Sequence, residues 1–547
     1  MTRTGPASVP LTSEQTRRFV VDGFLRLTPT VPAGLHETIL ARLNERVDDD
    51  DNPGNNVLPV VPEMRHILRS PEVLGALTSL LGPNYIEHPH RFCHIQARVE
   101  GSSAELAQRL VDHCHQDAYT PLARPRQHHV RYARVMYYPQ DTPVERGPTH
   151  VIGGTQLNRG LDAEDRKHLL PVDGPAGTVS ITHFDVGHAA GNNQMPDPRY
   201  MVKFIFMRAA APAANGWAGE DHAWQAPEGG PTEPDLSPGA LASSHLWDWL
   251  RGAWSRYASL DAGAVAENGW AGRPNAEMAA AAGDESLSVA ERVAAIEALG
   301  CRRAGAADAV DSLVALLNQR PEQVRSAATY ALGAIGEPAV PALEAVLERC
   351  PELLENDGGV LQERAYHVDD AAHALAAVGA VAVPALVRLL SSPNPWARVA
   401  AAFALGEMDS AGEPALDSLL STLEGDDHHV VRVATDALGT IGSPAAVGAL
   451  GRLLTVDRPQ WHEKLRTHWC AQDQVRVSAA NALARIGAAA QGAEASLIAA
   501  LDDPCGQVVT SAVDALRRIG SPTALDAAFG VLEAAWWDPT LPSPPRF

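Results

Sequence analysis

One short phrase returns seven times in the second half of this chain. It reads "AAIEALG", "AATYALGAIG", "AAHALAAVG", "AAFALGEM", "ATDALGTIG", "AANALARIG" and "AVDALRRIG". The leucine of each Ala-Leu pair falls at Leu299, Leu332, Leu375, Leu405, Leu438, Leu483 and Leu516, at intervals of 33, 43, 30, 33, 45 and 33. Apolar residues three and four apart make one helical stripe in each unit. A Gly or Pro break then leads into a second helix such as "AVPALEAVL". A helix pair of this size buries its stripe only by stacking on the next pair, and small alanines let the helices approach closely. The pattern dictates an α-solenoid over residues 288–534. Its two long intervals carry insertions, 351–367 and 455–472, which are expected to leave the stack as loops at one edge.

These repeats resemble HEAT repeats of the short, alanine-rich bacterial type. Nothing comparable repeats in residues 1–210. There, "LTSEQTRRFVVDGFLRL" reads as a capped helix, with Thr12 as N-cap, Gln15 three residues on and Gly23 at its end, followed by an extended stretch. Short β-type runs follow between turns: "RFCHIQARVE", "VRYARVMYY", "THVIGG", "GTVSITHF" and "MVKFIFMR". Many short strands of this kind predict a sandwich or double-sheet jelly roll. Residues 211–287, rich in Gly, Pro, Ala and Trp, read as a connector that packs Trp217, Trp224, Trp247, Trp249 and Trp254 onto its neighbours, and 535–547 as a tail. The expected class is multidomain α+β: an N-terminal jelly roll and a C-terminal all-α solenoid.

Bulk properties exclude several partners. A net charge of −22 argues against a phosphate backbone and against a basic membrane-facing surface. No apolar run is long enough to span a bilayer, and the opening "MTRTGPASVPLTSEQ" lacks the apolar core of a secretion signal. The six cysteines form no C-x-x-C pair, so neither a disulfide framework nor a thiolate zinc site is indicated. A cytoplasmic protein is expected.

Chemistry concentrates in "DHCHQDAYTP". In a strand, positions i and i+2 share a face, so His115 and Asp117 aim at one metal if this stretch is extended. Two histidines and one carboxylate on one face of an octahedron leave positions open, which suits Fe(II) that binds a co-substrate and O2. A distant His188, in "DVGHAAGNN", offers the third ligand. Arg199, eleven residues later, can hold the far carboxylate of a 2-oxo acid as a planar pair. The bland reading of His115 and Asp117 is a surface hydrogen-bonded pair, since the chain holds 21 histidines and a second His-x-Asp at His183 and Asp185. That second pair lies too close to His188 to leave the third ligand a strand of its own, and is read as barrel rim. His128, His129 and His150 are read as satisfied polar residues, His113 as at most a neighbour of the metal site, and Cys114 as facing away from it.

The order His-x-Asp, "ERGPTHVIGGTQ", "GTVSITHFDVGHAAGNN" and Arg199, with the opening helix and strand, resembles the phytanoyl-CoA dioxygenase family over residues 11–208. The resemblance implies a double-stranded β-helix and an Fe(II)- and 2-oxoglutarate-dependent oxygenase. It implies His115, Asp117 and His188 as iron ligands and Arg199 as the clamp on 2-oxoglutarate, with Gln96 and Thr149 near the co-substrate. Oxidative decarboxylation of 2-oxoglutarate to succinate and CO2 is then coupled, with O2, to oxidation of an aliphatic C–H, by default hydroxylation. Two positions depart from the family's habit: Cys114 stands where tryptophan is frequent, and Gly154 and Gln156 replace a Gly-Ser-His or Gly-Thr-His ending. Both bear on pocket shape. The expected substrate is a small or carrier-bound molecule, with the solenoid binding a protein partner or capping the pocket. The rival readings are a HEAT scaffold with a degenerate jelly roll, and a cupin-type metalloenzyme, which would want more histidines and no arginine clamp.

Overall fold

Thr12 starts the first helix with a complete capping box: its hydroxyl accepts from Gln15 N, and Gln15 Oε1 accepts from Thr12 N. Gly23, at φ 74°, ends that helix, Ser13–Asp22, and turns the chain into the first strand. The computed structural model describes residues 8–46, 52–117, 125–220, 222–229, 236–253, 257–266, 269–270, 272–351, 368–462 and 470–534. Within them the N-terminal part holds eight strands: β1 (Phe24–Leu27), β2 (Ile86–Gln96), β3 (Tyr132–Tyr137), β4 (Thr149–Ile152), β5 (Leu170–Pro171), β6 (Val179–His183), β7 (Gly187–Ala190) and β8 (Arg199–Met207). They form two antiparallel sheets, β1-β6-β3-β8-β2 and β5-β4-β7. This is the expected jelly roll.

Register decides which side chains share a face. Gln96 lies opposite Arg199, His94 opposite Met201 and Phe92 opposite Lys203, while Met136 on β3 also faces Lys203. Directly opposed residues share a face, so this alternate set lines one side of the large sheet. The other set, including Cys93, Val135, Val202 and Phe204, joins the main apolar core with the helix Pro71–Leu81.

The solenoid forms as the periodicity predicts. Its first helices are Val289–Cys301, Glu322–Ile335, Asp370–Val378, Pro395–Glu407, His428–Ile441, Ala471–Ile486 and Gly506–Ile519, and each holds one of the seven leucines, all fully buried. Glycines after the leucine set the spacing. A Cβ on Gly333 would come within 2.5 Å of Ala377 Cβ, and one on Gly439 within 2.7 Å of Ala482. Of the two insertions, 352–367 and 463–469 lie outside the described residues. Trp461, in the second insertion, is buried with its indole N–H donated to Asp426 O at 2.6 Å, so this part packs on the stack.

The first helices meet the jelly roll one after another. From Glu322–Ile335, Tyr330 bonds His128 at 2.9 Å and Glu322 accepts from Arg159 N. From Asp370–Val378, His373 stacks on His128 with ring centres 3.6 Å apart. Glu407, ending the next, pairs with Arg131 at 3.2 Å and His129 at 3.0 Å, and Asp409 takes Arg131 Nη1 at 2.5 Å. Further along, Arg485 donates to Tyr132 Oη and Arg518 to Asn84 O. The helix Gly239–Leu250 of the connector seals this contact. Trp249 stacks on His129 and donates its indole N–H to Asp409 at 2.9 Å, and the guanidinium groups of Arg131 and Arg208 lie 5.0 and 4.9 Å from its ring centre. Trp217, Trp224 and Trp247 are buried together; Trp254 lies outside the described residues. No single helix is long and apolar enough to cross a membrane among the described residues.

Candidate metal and co-substrate site

The helix Ser103–Asp112 ends at His113, and the chain then becomes extended and meets β7. His115 and His188 form a mutual backbone pair there, each N–H donated to the other's carbonyl at 2.9 Å. Their imidazoles consequently stand side by side, ring centres 4.5 Å apart. Asp117 follows on the same face. Between them Gln116 points the other way and donates to Thr155 O, Asn158 O and Asp185 O, which pins the segment.

Ligand atoms of His115, Asp117 and His188 lie within 4.8 Å of one another, the one such group of three among the described residues. Both rings are oriented by the backbone: His115 Nδ1 bonds His113 O at 2.8 Å and His188 Nδ1 bonds Val186 O at 3.1 Å. Such a bond fixes the tautomer and turns the lone pair of Nε2 toward a metal. His115 Nε2 is 3.4 Å and His188 Nε2 3.9 Å from the Asp117 carboxylate. Burial pushes the Asp117 pKa up, but the opposing pull of Arg134 and Lys203 prevails and holds it well below the usual carboxylate range. Burial, with Arg134 and His115 beside it, holds His188 well below the ordinary imidazole value. An ionised carboxylate and a neutral imidazole are the forms that bind a metal.

Arg134 was not visible as a site residue in the sequence, and Lys203 only as an alternative to Arg199 for the co-substrate carboxylate. Arg134, on β3 and fully buried, sets Nη2 2.9 Å from Asp117 Oδ2 and Nη1 3.0 Å from His188 Nε2, and also donates to Phe184 O. Lys203 Nζ lies 3.8 Å from the same Asp117 oxygen. The alternation of β3 and β8 carries the signal, but it shows only which residues share a face.

Four residues from Lys203, on the same face of β8, Arg199 is 1% exposed. Its Nη2 donates to Gln96 Oε1 at 2.5 Å, and its Nε and Nη1 have no hydrogen-bond partner. Tyr138, also missed in the sequence, is fully buried close enough to Arg199 for the cation to act on its phenol, and its Oη accepts from Thr149 N at 2.8 Å. Gln96, Tyr138 and Thr149 thus gather around an arginine with two buried N–H groups to give.

The remaining candidates fall out as follows. His183 ends β6, while His188 sits on its own strand β7 in the other sheet. The expectation that no separate strand fits between them is corrected, because a tight turn over 184–186 suffices. The Asp185 carboxylate pairs with Arg126 at 3.7 Å and does not belong to the ligand group. His113 contributes its carbonyl to His115 and is itself exposed. Cys114 faces an apolar cluster with Ile152, Ala189 and Leu236. His150 bonds Pro148 O, and His128 and His129 are taken up in the contact with the solenoid.

Comparison with known proteins follows this division. The family model described as phytanoyl-CoA dioxygenase (PhyH) matches residues 36–201, and that of HEAT repeats matches 278–355, 367–439 and 383–464. No curated protein matches the chain. Among solved structures, a non-heme monooxygenase, ThoJ, is 20% identical, with 37% of this chain and 83% of that chain covered at a TM-score of 0.26. The α-ketoglutarate-dependent carbocyclase SnoK from nogalamycin biosynthesis is 17% identical, over 38% and 88%, at 0.29. EctD from S. alaskensis with 2-oxoglutarate and 5-hydroxyectoine is 16% identical, over 43% and 89%, at 0.30. Residues 36–201 are thus similar to the phytanoyl-CoA dioxygenase family, and the C-terminal half of the chain to HEAT repeats.

Proposed function

We propose that the protein hydroxylates an aliphatic C–H of a small or carrier-bound molecule, with Fe(II) held by His115, Asp117 and His188. The observation that carries this is the convergence of two backbone-oriented imidazoles and one ionised carboxylate on a single point. Arg199 is the group for the distal carboxylate of 2-oxoglutarate, because its two unpartnered buried N–H groups call for an anion. Gln96 holds that guanidinium in place, and Tyr138 and Thr149 close the same end. When bound, the iron and 2-oxoglutarate supply the oxidant, with O2 reduced and succinate and CO2 released. The chain's own work is orientation: Gln116 and Arg134 fix the ligand-bearing segments.

For the solenoid, the reading best supported is a clamp. Five of its first helices already touch the jelly roll, so their inner face serves this contact, and a protein partner would use another face. The segment 125–131 lies on that clamp, where Gln127 and Arg131 both bond Glu407.

Anaerobic titration with Fe(II) and 2-oxoglutarate tests the catalytic reading. A weak visible absorption band that needs both components, absent in Asp117→Ala, is the expected result. No band with the wild-type chain, and no succinate formed in air, would leave the scaffold reading in its place.

A further inference from the structure

The iron and co-substrate reading accounts for Arg199 and Asp117 but leaves two buried cations beside them. An iron dication and doubly ionised 2-oxoglutarate cancel, and Arg199 cancels Asp117. Among the described residues, Arg134 and Lys203 then add positive charge to a set that is neutral without them, and each is buried, where a surplus of one sign is disfavoured. Arg134 makes the close pair with Asp117 at 2.9 Å. Lys203 stands 3.8 Å from the same oxygen, beyond hydrogen-bond length, with three N–H donors on its ammonium. On this face the strand opposite adds no carboxylate: β2 sets His94 and Gln96 there, and burial, with Lys203 nearby, holds His94 and the neighbouring His90 well below the ordinary imidazole pKa. Lys203 is flanked on the same face by Phe92 and Met136, both apolar.

Resting on that reading, we infer that the substrate is an organic acid, whose carboxylate or phosphate oxygen is received by Lys203 while its apolar body lies along Phe92 and Met136. The acid group brings negative charge to this surplus, one unit as a carboxylate and up to about two as a phosphate. It also anchors the molecule beside Asp117, so the C–H presented for oxidation is set by its distance from the acid. Lys203 is in this sense a specificity-determining residue.

The test needs no knowledge of the full substrate. The protein is loaded with Mn(II) and saturating 2-oxoglutarate, and the paramagnetic relaxation of methyl protons is followed as acetate, or neutral acetamide, is added. Acetate is expected to show saturable enhancement and acetamide none. Lys203→Met should weaken acetate at least about tenfold, and Lys203→Arg should retain it. Methylphosphonate in place of acetate distinguishes a phosphate from a carboxylate. Equal behaviour of acetate and acetamide, or an acetate affinity in Lys203→Met within twofold of wild type, overturns the inference. If Lys203→Met does not hold the metal, the acetate and acetamide pair on the wild-type chain decides alone. Failure of Mn(II) to load shows separately in the water-proton relaxation; it strikes the metal site itself, and the inference falls with it.

Discussion

Arg134 Nη1 lies 3.0 Å from His188 Nε2 while Nη2 of the same guanidinium pairs with Asp117 Oδ2 at 2.9 Å. One buried side chain on β3 therefore orders ligand residues from two other segments. Its N–H also occupies the lone pair that a metal takes, so loading the site requires that bond to yield while the pair with Asp117 stays. Arg134→Met should lower the apparent iron affinity about 10- to 100-fold, the usual effect of removing a group that orients a ligand. A metal titration checks this. Tighter binding in the variant would mean that blocking His188 is the larger effect.

His115→Ala, Asp117→Ala and His188→Ala should each reduce Fe(II)-dependent succinate formation by more than about 100-fold. Their stabilities should differ. The His115 side chain is 42% exposed, and its loss should leave the melting temperature nearly unchanged. Asp117 lies between two buried cations, and removing it should cost about 3–5 kcal/mol. Thermal unfolding beside the succinate assay separates the two effects.

Arg199→Ala should weaken 2-oxoglutarate about 30-fold or more and leave iron binding little changed, since the guanidinium bonds Gln96 and none of the three ligand residues. Equilibrium binding of 2-oxoglutarate to the metal-loaded protein is the measurement. An affinity within twofold of wild type would assign the carboxylate to Lys203 or Arg134.

The contact between the two halves should be essential to the oxygenase. A chain ending near residue 285 bares His128, Arg131, Tyr132 and Met207, which are buried in the full chain. It should aggregate, or should consume 2-oxoglutarate without oxidising substrate. Asp409→Ala in the full chain should lower stability by about 3–5 kcal/mol, because Arg131 and the Trp249 indole lose a shared buried acceptor. A soluble, fully active truncated chain would make the solenoid an independent module.

That contact should also loosen in acid. His128 is packed against His373, Tyr330 and, at longer range, Asp370, Glu407, His183 and Asp185; burial lowers its pKa to about 4. Its ordinary value is near 6.5, so above that pH it is neutral whether folded or not. As pH falls from 6.5 toward 4 the unfolded chain takes up a proton that the folded one refuses, and stability drops by up to about 3 kcal/mol. Melting temperatures between pH 7 and 4.5 should show a slope that His128→Phe reduces. An unchanged slope would place the acid sensitivity elsewhere.

The solenoid was legible almost residue by residue, because a helix stripe and its stacking partner are set by spacing within some forty residues. Thr12, Gln15 and Gly23 were legible for the same local reason, and so was the pair His115 and Asp117, where i and i+2 share a face. His188 and Arg199 could be placed by order along the chain. Nothing local distinguishes Arg134 or Lys203 from any other charged residue in a strand of mixed pattern. They enter the site because β3 and β8 pair in one register and no other, which brings residues 69 positions apart onto a common face. The same holds for His128, Arg131, Glu407 and Asp409, which read as ordinary polar residues of loops and helix ends. Their burial against one another depends on two faces meeting from parts of the chain nearly three hundred residues apart. Side-chain periodicity records which face of an element is apolar; which faces meet, and which charges are thereby shut off from water, is settled only when the whole chain folds.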